Sequence, residues 1–182
     1  NAFSALASLK YPLLSLTDVT LTCEDGRITA KEVVVNPIDK TMIVTDGVST
    51  VDPELITSAI GPKTHQTLKP YHFNVPPTIL VNGRLPIGKE GERKADVLLE
   101  ITGRSFQYWR FNLPEVSAQL KWLGKSISIT NLNAAFYGGK LRWNGNFDFS
   151  VPDGADFEFR GNVKDSNLQL LMSDLTATNS AM

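Results

Sequence analysis

Two histidines, His65 and His72, are the chain's only imidazoles, and they lie seven residues apart beside prolines. A metal centre needs three or four converging ligands. With no HExxH and a single cysteine, these read as surface-loop histidines. Glu90 and Glu92, and Asp153, Asp156 and Glu158, could mimic the paired carboxylates of acid–base chemistry. Their positions in turns or on outward strand faces read instead as solvated charge. Cys23 has no neighbouring His or Lys to make it reactive, so it reads as a half-buried thiol. GxSxG, Walker A and GxGxxG patterns are absent. The run Arg104-Ser105-Phe106-Gln107-Tyr108-Trp109-Arg110 mixes basic and aromatic residues, as single-strand nucleic-acid platforms do. A net charge of −1 supplies no electrostatic funnel, so an amphipathic strand is expected there and nucleic acid is not a partner. No enzymatic activity, cofactor or metal is expected.

The elements that hold these residues announce themselves by alternation. Leu141, Trp143, Phe147, Phe149 and Val151 share one parity, and Arg142, Asn144, Asn146 and Asp148 the other. That is a half-buried strand. Phe157, Phe159 and Val163 against Glu158, Arg160 and Asn162 make the next, across a Pro152-Asp153-Gly154 turn. Ser126–Tyr137 alternates with a change of parity near Asn131, which predicts a bulge. Tyr137-Gly138-Gly139-Lys140 then predicts a tight hairpin, since Gly-Gly suits a primed turn. Further strands are expected over 14–23, 27–35, 41–51, 78–87, 95–102, 107–113 and 115–123. Two helices interrupt them. Asp52-Pro53 caps a helix carrying Leu55, Ile56, Ala59 and Ile60 and ended by Gly61-Pro62. A second, over 165–175, aligns Leu168, Leu171, Met172 and Leu175 on one stripe.

The expected fold is mainly β: a curved antiparallel meander sheet, groove-like or a partly open barrel, with two short amphipathic helices. The expected organisation is an N-terminal meander plus helix over 1–62, an irregular connection over 63–77, and a second sheet lobe over 78–182 closed by the helix 165–175. The order strand, turn, strand, hairpin, strand, helix reads twice, as a weak repeat. Gly83, Gly145 and Gly161 sit in phase on apolar strand faces. Such glycines mark either a sharply coiled sheet packed against another element or a trough that admits a ligand.

The run Ile129-Thr130-Asn131-Leu132-Asn133-Ala134-Ala135-Phe136-Tyr137-Gly138-Gly139-Lys140-Leu141 resembles the Gly-Gly hairpin of the AsmA-like family of bacterial envelope proteins. Trp143-x-Gly145-x-Phe147-x-Phe149 resembles the family's following strand, and 157–175 its closing strand and helix. About 50 residues carry the likeness, and about 100 if 77–123 are included. The first 75 match only generically. The resemblance implies a large Gram-negative periplasmic protein, tethered to the inner membrane by a segment outside this chain. It also implies a β-sheet groove that holds or conducts phospholipid in outer-membrane biogenesis. The Asn1 start and polar tail fit a segment of a longer chain. The expected lipid-contacting wall is then Trp143, Phe147, Phe149, Phe157 and Phe159. Gly145 and Gly161 would leave room beside it, and Leu168, Leu171, Met172 and Leu175 would cover one end. The partners would be phospholipid acyl chains and the remainder of the longer chain. The alternatives are a structural or adhesive β-domain of a surface protein with a closed core, and a fragment of an outer-membrane barrel.

Overall fold

The computed structural model describes residues 1–54, 71–88, 93–108, 111–151 and 156–176. They form one ten-stranded antiparallel sheet in which each strand pairs with its neighbours in sequence. The strands are β1 (Ala2–Lys10), β2 (Leu13–Cys23), β3 (Gly26–Asn36), β4 (Thr41–Ser49), β5 (Tyr71–Pro86), β6 (Asp96–Tyr108), β7 (Phe111–Leu123), β8 (Ser126–Phe136), β9 (Gly139–Asp148) and β10 (Asp156–Lys164). One helix, α1 (Leu168–Thr176), follows β10. The expected mainly-β meander is present, and it is open: β1 and β10 are its two edges.

Several boundaries differ from expectation. Among the described residues α1 is the one complete helix, where two were expected. The other opens as read, with Asp52 Oδ1 accepting the Glu54 N–H at 2.9 Å. Its body, including Leu55, Ile56, Ala59 and Ile60, lies outside the described residues. Strand β5 starts at Tyr71, so 71–77 are extended rather than part of an irregular connection. Pro76-Pro77 hid this strand. The prolines occupy a register shift between Val75 and Thr78, where the missing N–H groups cost least. β4 pairs with β5 from Thr41↔Pro86 to Ser49↔Ile79, so the sheet crosses the expected lobe boundary unbroken. The aromatic stretch 107–113 is not one strand: Gln107 and Tyr108 end β6, and Phe111 opens β7. β1 was not expected at all. The proposed two-fold order fails too, because β10 stands between β9 and α1 with no counterpart before Asp52.

Alternation places one apolar row across the whole sheet. It runs Ala7↔Leu16↔Val33↔Val44↔Gly83↔Val97↔Trp122↔Ile127↔Phe147↔Phe157. Directly opposed residues of an antiparallel pair share a face, so this row lies on one side from edge to edge. The adjacent row, through Ser15, Arg84, Asp96 and Asp148, lies on the other side.

A recurrent device keeps that face apolar along long strands. Asp18, Asp46, Ser105 and Asn131 have φ of 52°, 50°, 51° and 52°. They fall one each on β2, β4, β6 and β8. Short polar side chains tolerate this left-handed conformation best. At each position the apolar spacing lengthens from two residues to three: Leu16 to Val19, Val44 to Gly47, Gly103 to Phe106, and Ile129 to Leu132. The bulge expected near Asn131 is thus observed, and the pairing also slips at Asp18 against β1 and at Asp46 against β5. At Ser105, by contrast, β6 keeps its register with β7, and the slip against β5 falls at Pro76-Pro77.

Asparagines on the following strands satisfy two of these bulges. Asn82 Oδ1 accepts the Asp46 N–H, and Asn144 Oδ1 accepts the Asn131 N–H, both at 2.8 Å. Both belong to Asn-Gly pairs within strands, so these pairs serve bulges rather than turns. Removing either amide leaves a bulge N–H without its partner. Asn82→Ala and Asn144→Ala should each lower unfolding free energy by about 0.5–1.5 kcal/mol. Three strands lie between them, so the double variant should be additive within about 0.5 kcal/mol, as read by urea denaturation.

Candidate functional site

The two faces are unequally exposed. Val97 on the apolar face is 0% exposed, whereas its neighbour Leu98, on the other face, is 40% exposed. Leu113, Val116 and Ala134 are buried together, with Phe73, Phe106, Leu132, Phe136 and Leu141 packed against them. These side chains come from five consecutive strands, β5 to β9. The Phe73 and Phe106 centroids are 4.8 Å apart. Phe73 also lies on Gly103, where an added Cβ would fall 2.5 Å from Cε1. The sequence places Phe136 in the alternating strand 126–137 and Phe106 in the basic–aromatic run, but it does not single out Phe73 or group the three. Their signal, apolar parity resumed after a bulge residue, was read only at Asn131.

At the β9–β10 end the face becomes aromatic. Trp143 lies 6.2 Å from Phe159 and 6.4 Å from Phe147. Phe147 stacks on Phe149 at 6.5 Å, and Phe157 on Phe159 at 5.9 Å. All five residues expected to form a wall are therefore brought together. Phe157 and Phe159 remain 64% and 59% exposed because β10 is an edge.

Gly145 and Gly161 behave differently from the expectation. Phe159 opposes Gly145, and Trp143 opposes Gly161. A Cβ on Gly145 would collide with Cη2 of Trp143, and one on Gly161 would fall 3.1 Å from Cδ1 of the same ring. The space over both glycines is filled by the indole. They leave room for Trp143, not for an added molecule.

Helix α1 covers less than expected. Leu171 and Leu175 are half-buried, while Leu168 and Met172 are exposed, so the four do not act together as a cover. The cap is Asn167, later than the Asp165 or Ser166 start expected. Its Oδ1 accepts the N–H groups of Gln169 at 2.9 Å and Leu170 at 3.2 Å. The helix is fastened to the β8–β9 turn: Ser166 Oγ donates to the Phe136 carbonyl at 2.7 Å, and the Asn167 N–H to the Tyr137 carbonyl at 2.8 Å. The turn itself is centred on Tyr137 and Gly138, with φ of 48° and 80°, as a primed hairpin requires. Gly139 has another task. The 164–166 backbone passes so close that a Cβ would strike it. Tyr137 Oη donates to Asp174 Oδ2 at 2.7 Å. Desolvation, then this bond to a carboxylate, pushes the phenol up to about 12.

The other chemistry-bearing residues do not converge. Among the described residues no group of His, Cys, Asp and Glu is placed to hold a metal. His72 lies in β5, not in a loop, and His65 falls outside the described residues, as do Glu90, Glu92, Asp153, Trp109 and Arg110. Cys23 is a half-buried free thiol at the end of β2. Glu158 pairs with Arg160 at 3.0 Å in solvent. A wide depression of about 850 Å³ lies between β5 and β9. Its charged and amide lining residues are Arg104, Glu115, Asn133, Lys140 and Arg142. No described helix is long and apolar enough to cross a membrane. No protein-family model, curated protein or solved structure matches the chain.

The Trp143–glycine fit is directly testable. Gly145→Ala should destabilise the fold by about 1–3 kcal/mol through overpacking. Trp143→Leu should remove most of that penalty, a coupling that a double-mutant cycle in urea measures.

Proposed function

We propose that this chain is a non-enzymatic lipid-handling segment whose apolar sheet face receives phospholipid acyl chains. The carrying observation is the apolar row that crosses all ten strands and ends in exposed aromatics. Nine strand spacings make that row about 43 Å wide, and an 11-residue strand makes the face about 36 Å tall. Each CH₂ group buried there gains about 0.8 kcal/mol. The driving force is burial alone, and no catalytic group is required.

A groove-like curvature towards the apolar side belongs to this reading. The contrast between Val97 and Leu98 supports it, as does the meeting of side chains from five strands. Trp143, Phe147, Phe149, Phe157 and Phe159 form the wall at one end. α1 is fastened beside the β8–β9 turn, at its Phe136–Tyr137 side. The AsmA-like resemblance extends the proposal to a periplasmic segment of a longer, inner-membrane-tethered protein in outer-membrane biogenesis. A second reading, a structural or adhesive β-domain, draws on the glycine gaps being filled by Trp143 rather than open.

Native mass spectrometry with lipid extraction, on the chain purified from a Gram-negative host, separates the two. Co-purifying phospholipid that is lost on the Phe147→Asp/Phe159→Asp double change is the expected result. A lipid-free mass, with no uptake of added fluorescent phospholipid by folded protein, would sink the lipid reading in favour of the structural one.

A further inference from the structure

Among the described residues no strand pairs with the outer edge of β10. After Lys164 the chain turns back over Gly139 towards Phe136 and Tyr137, away from the edge. Every residue of β10 is exposed. Of the devices that blunt an edge, its sequence, Asp156-Phe157-Glu158-Phe159-Arg160-Gly161-Asn162-Val163-Lys164, carries charge of both signs. It has no proline and no bulge against β9. Its charges lie on the polar face, and its sheet-facing side is Phe157, Phe159, Gly161 and Val163.

We propose that this edge binds the same edge of a second copy of the chain, antiparallel and centred on Phe159, as a two-fold dimer. The register follows from complementarity. Only even registers keep the two apolar faces on one side, because a one-residue slip reverses a strand's faces. Centring on Glu158 opposes Glu158 to its own copy, and centring on Arg160 opposes two guanidinium groups. Centring on Phe159 sets Glu158 of each copy against Arg160 of the other, twice by symmetry. It also sets Phe157 of each copy against Gly161 of the other. That repeats the aromatic-over-glycine pairing already made inside the sheet by Phe159↔Gly145 and Trp143↔Gly161. The Glu158–Arg160 pair within one strand, exposed on both partners, is free to re-form across the two-fold axis. The dimer would be a twenty-stranded sheet with one continuous apolar face. It stands independently of what that face binds.

Sedimentation of the full chain over a concentration series tests this. A monomer–dimer equilibrium is expected. Glu158→Arg and Arg160→Glu should each weaken it at least about tenfold, since each puts like charges opposite one another twice. The Glu158→Arg/Arg160→Glu exchange should restore it to within a few-fold. In the Cys23→Ser background, Phe159→Cys should oxidise to a covalent dimer, whereas Asn162→Cys, which faces Asp156 of the second copy, should not. A monomer throughout the series would overturn the proposal. So would open-ended oligomers from β1 meeting β10, single reversals without effect, an exchange no better than either single change, or Phe159→Cys that stays uncoupled under oxidant.

Discussion

A pleated strand sends alternate side chains to opposite faces, and one extra residue reverses everything beyond it. The structure depends on how this chain manages that constraint. Its strands reach 11 residues in β2, β3 and β8, and 16 in β5. Strands that long twist and need to bend if a broad sheet is to stay paired. The left-handed residues Asp18, Asp46, Ser105 and Asn131 supply the bend, and the apolar pattern shifts phase at the same places. Local backbone and sequence pattern agree, so one face stays apolar on both sides of each bulge.

The consequences reach the packing. Because the phase shift is shared, Leu113 and Val116 of β7 bury against Ala134 of β8 although they are three residues apart. The bulge N–H groups of Asp46 and Asn131 find their acceptors in Asn82 and Asn144. The glycine after each asparagine is then available for close packing: Gly83 beneath the Asp96 backbone, Gly145 beneath Trp143. The one-layer sheet leaves large apolar side chains exposed, among them Phe3, Phe157 and Phe159.

Most of the sheet was legible from alternation, because half-buried antiparallel strands print period two directly on the sequence. Phe147 and Phe157, Trp143 and Phe159 could be grouped that way before any geometry. The failures have particular physical causes. β1 faces the apolar side with Phe3, Ala5, Ala7 and Leu9, but Leu6 stands on the other face between two alanines, so the hydropathy contrast is lost mid-strand. Pro76 and Pro77 read as loop because a ladder excludes proline, yet a register shift admits it. Trp143 folding over Gly145 and Gly161 depends on the ring's rotamer, which spacing does not encode. The separate roles of Gly138 and Gly139 depend on where the chain returns after β10, a tertiary fact. The stripe of Leu168, Leu171, Met172 and Leu175 predicted a helix correctly but not how little of it would be covered.

The central claim is that the apolar face meets acyl chains directly, with Trp143 in its aromatic wall. The most direct measurement uses the chain with Trp109→Phe and Trp122→Phe, so that Trp143 is the sole indole, and phospholipid brominated on its acyl chains. Short-range quenching of Trp143 fluorescence by the brominated lipid, and not by its unbrominated counterpart, is the result predicted. Emission unchanged by the brominated lipid, while a small aqueous quencher still reaches the ring, would contradict the account.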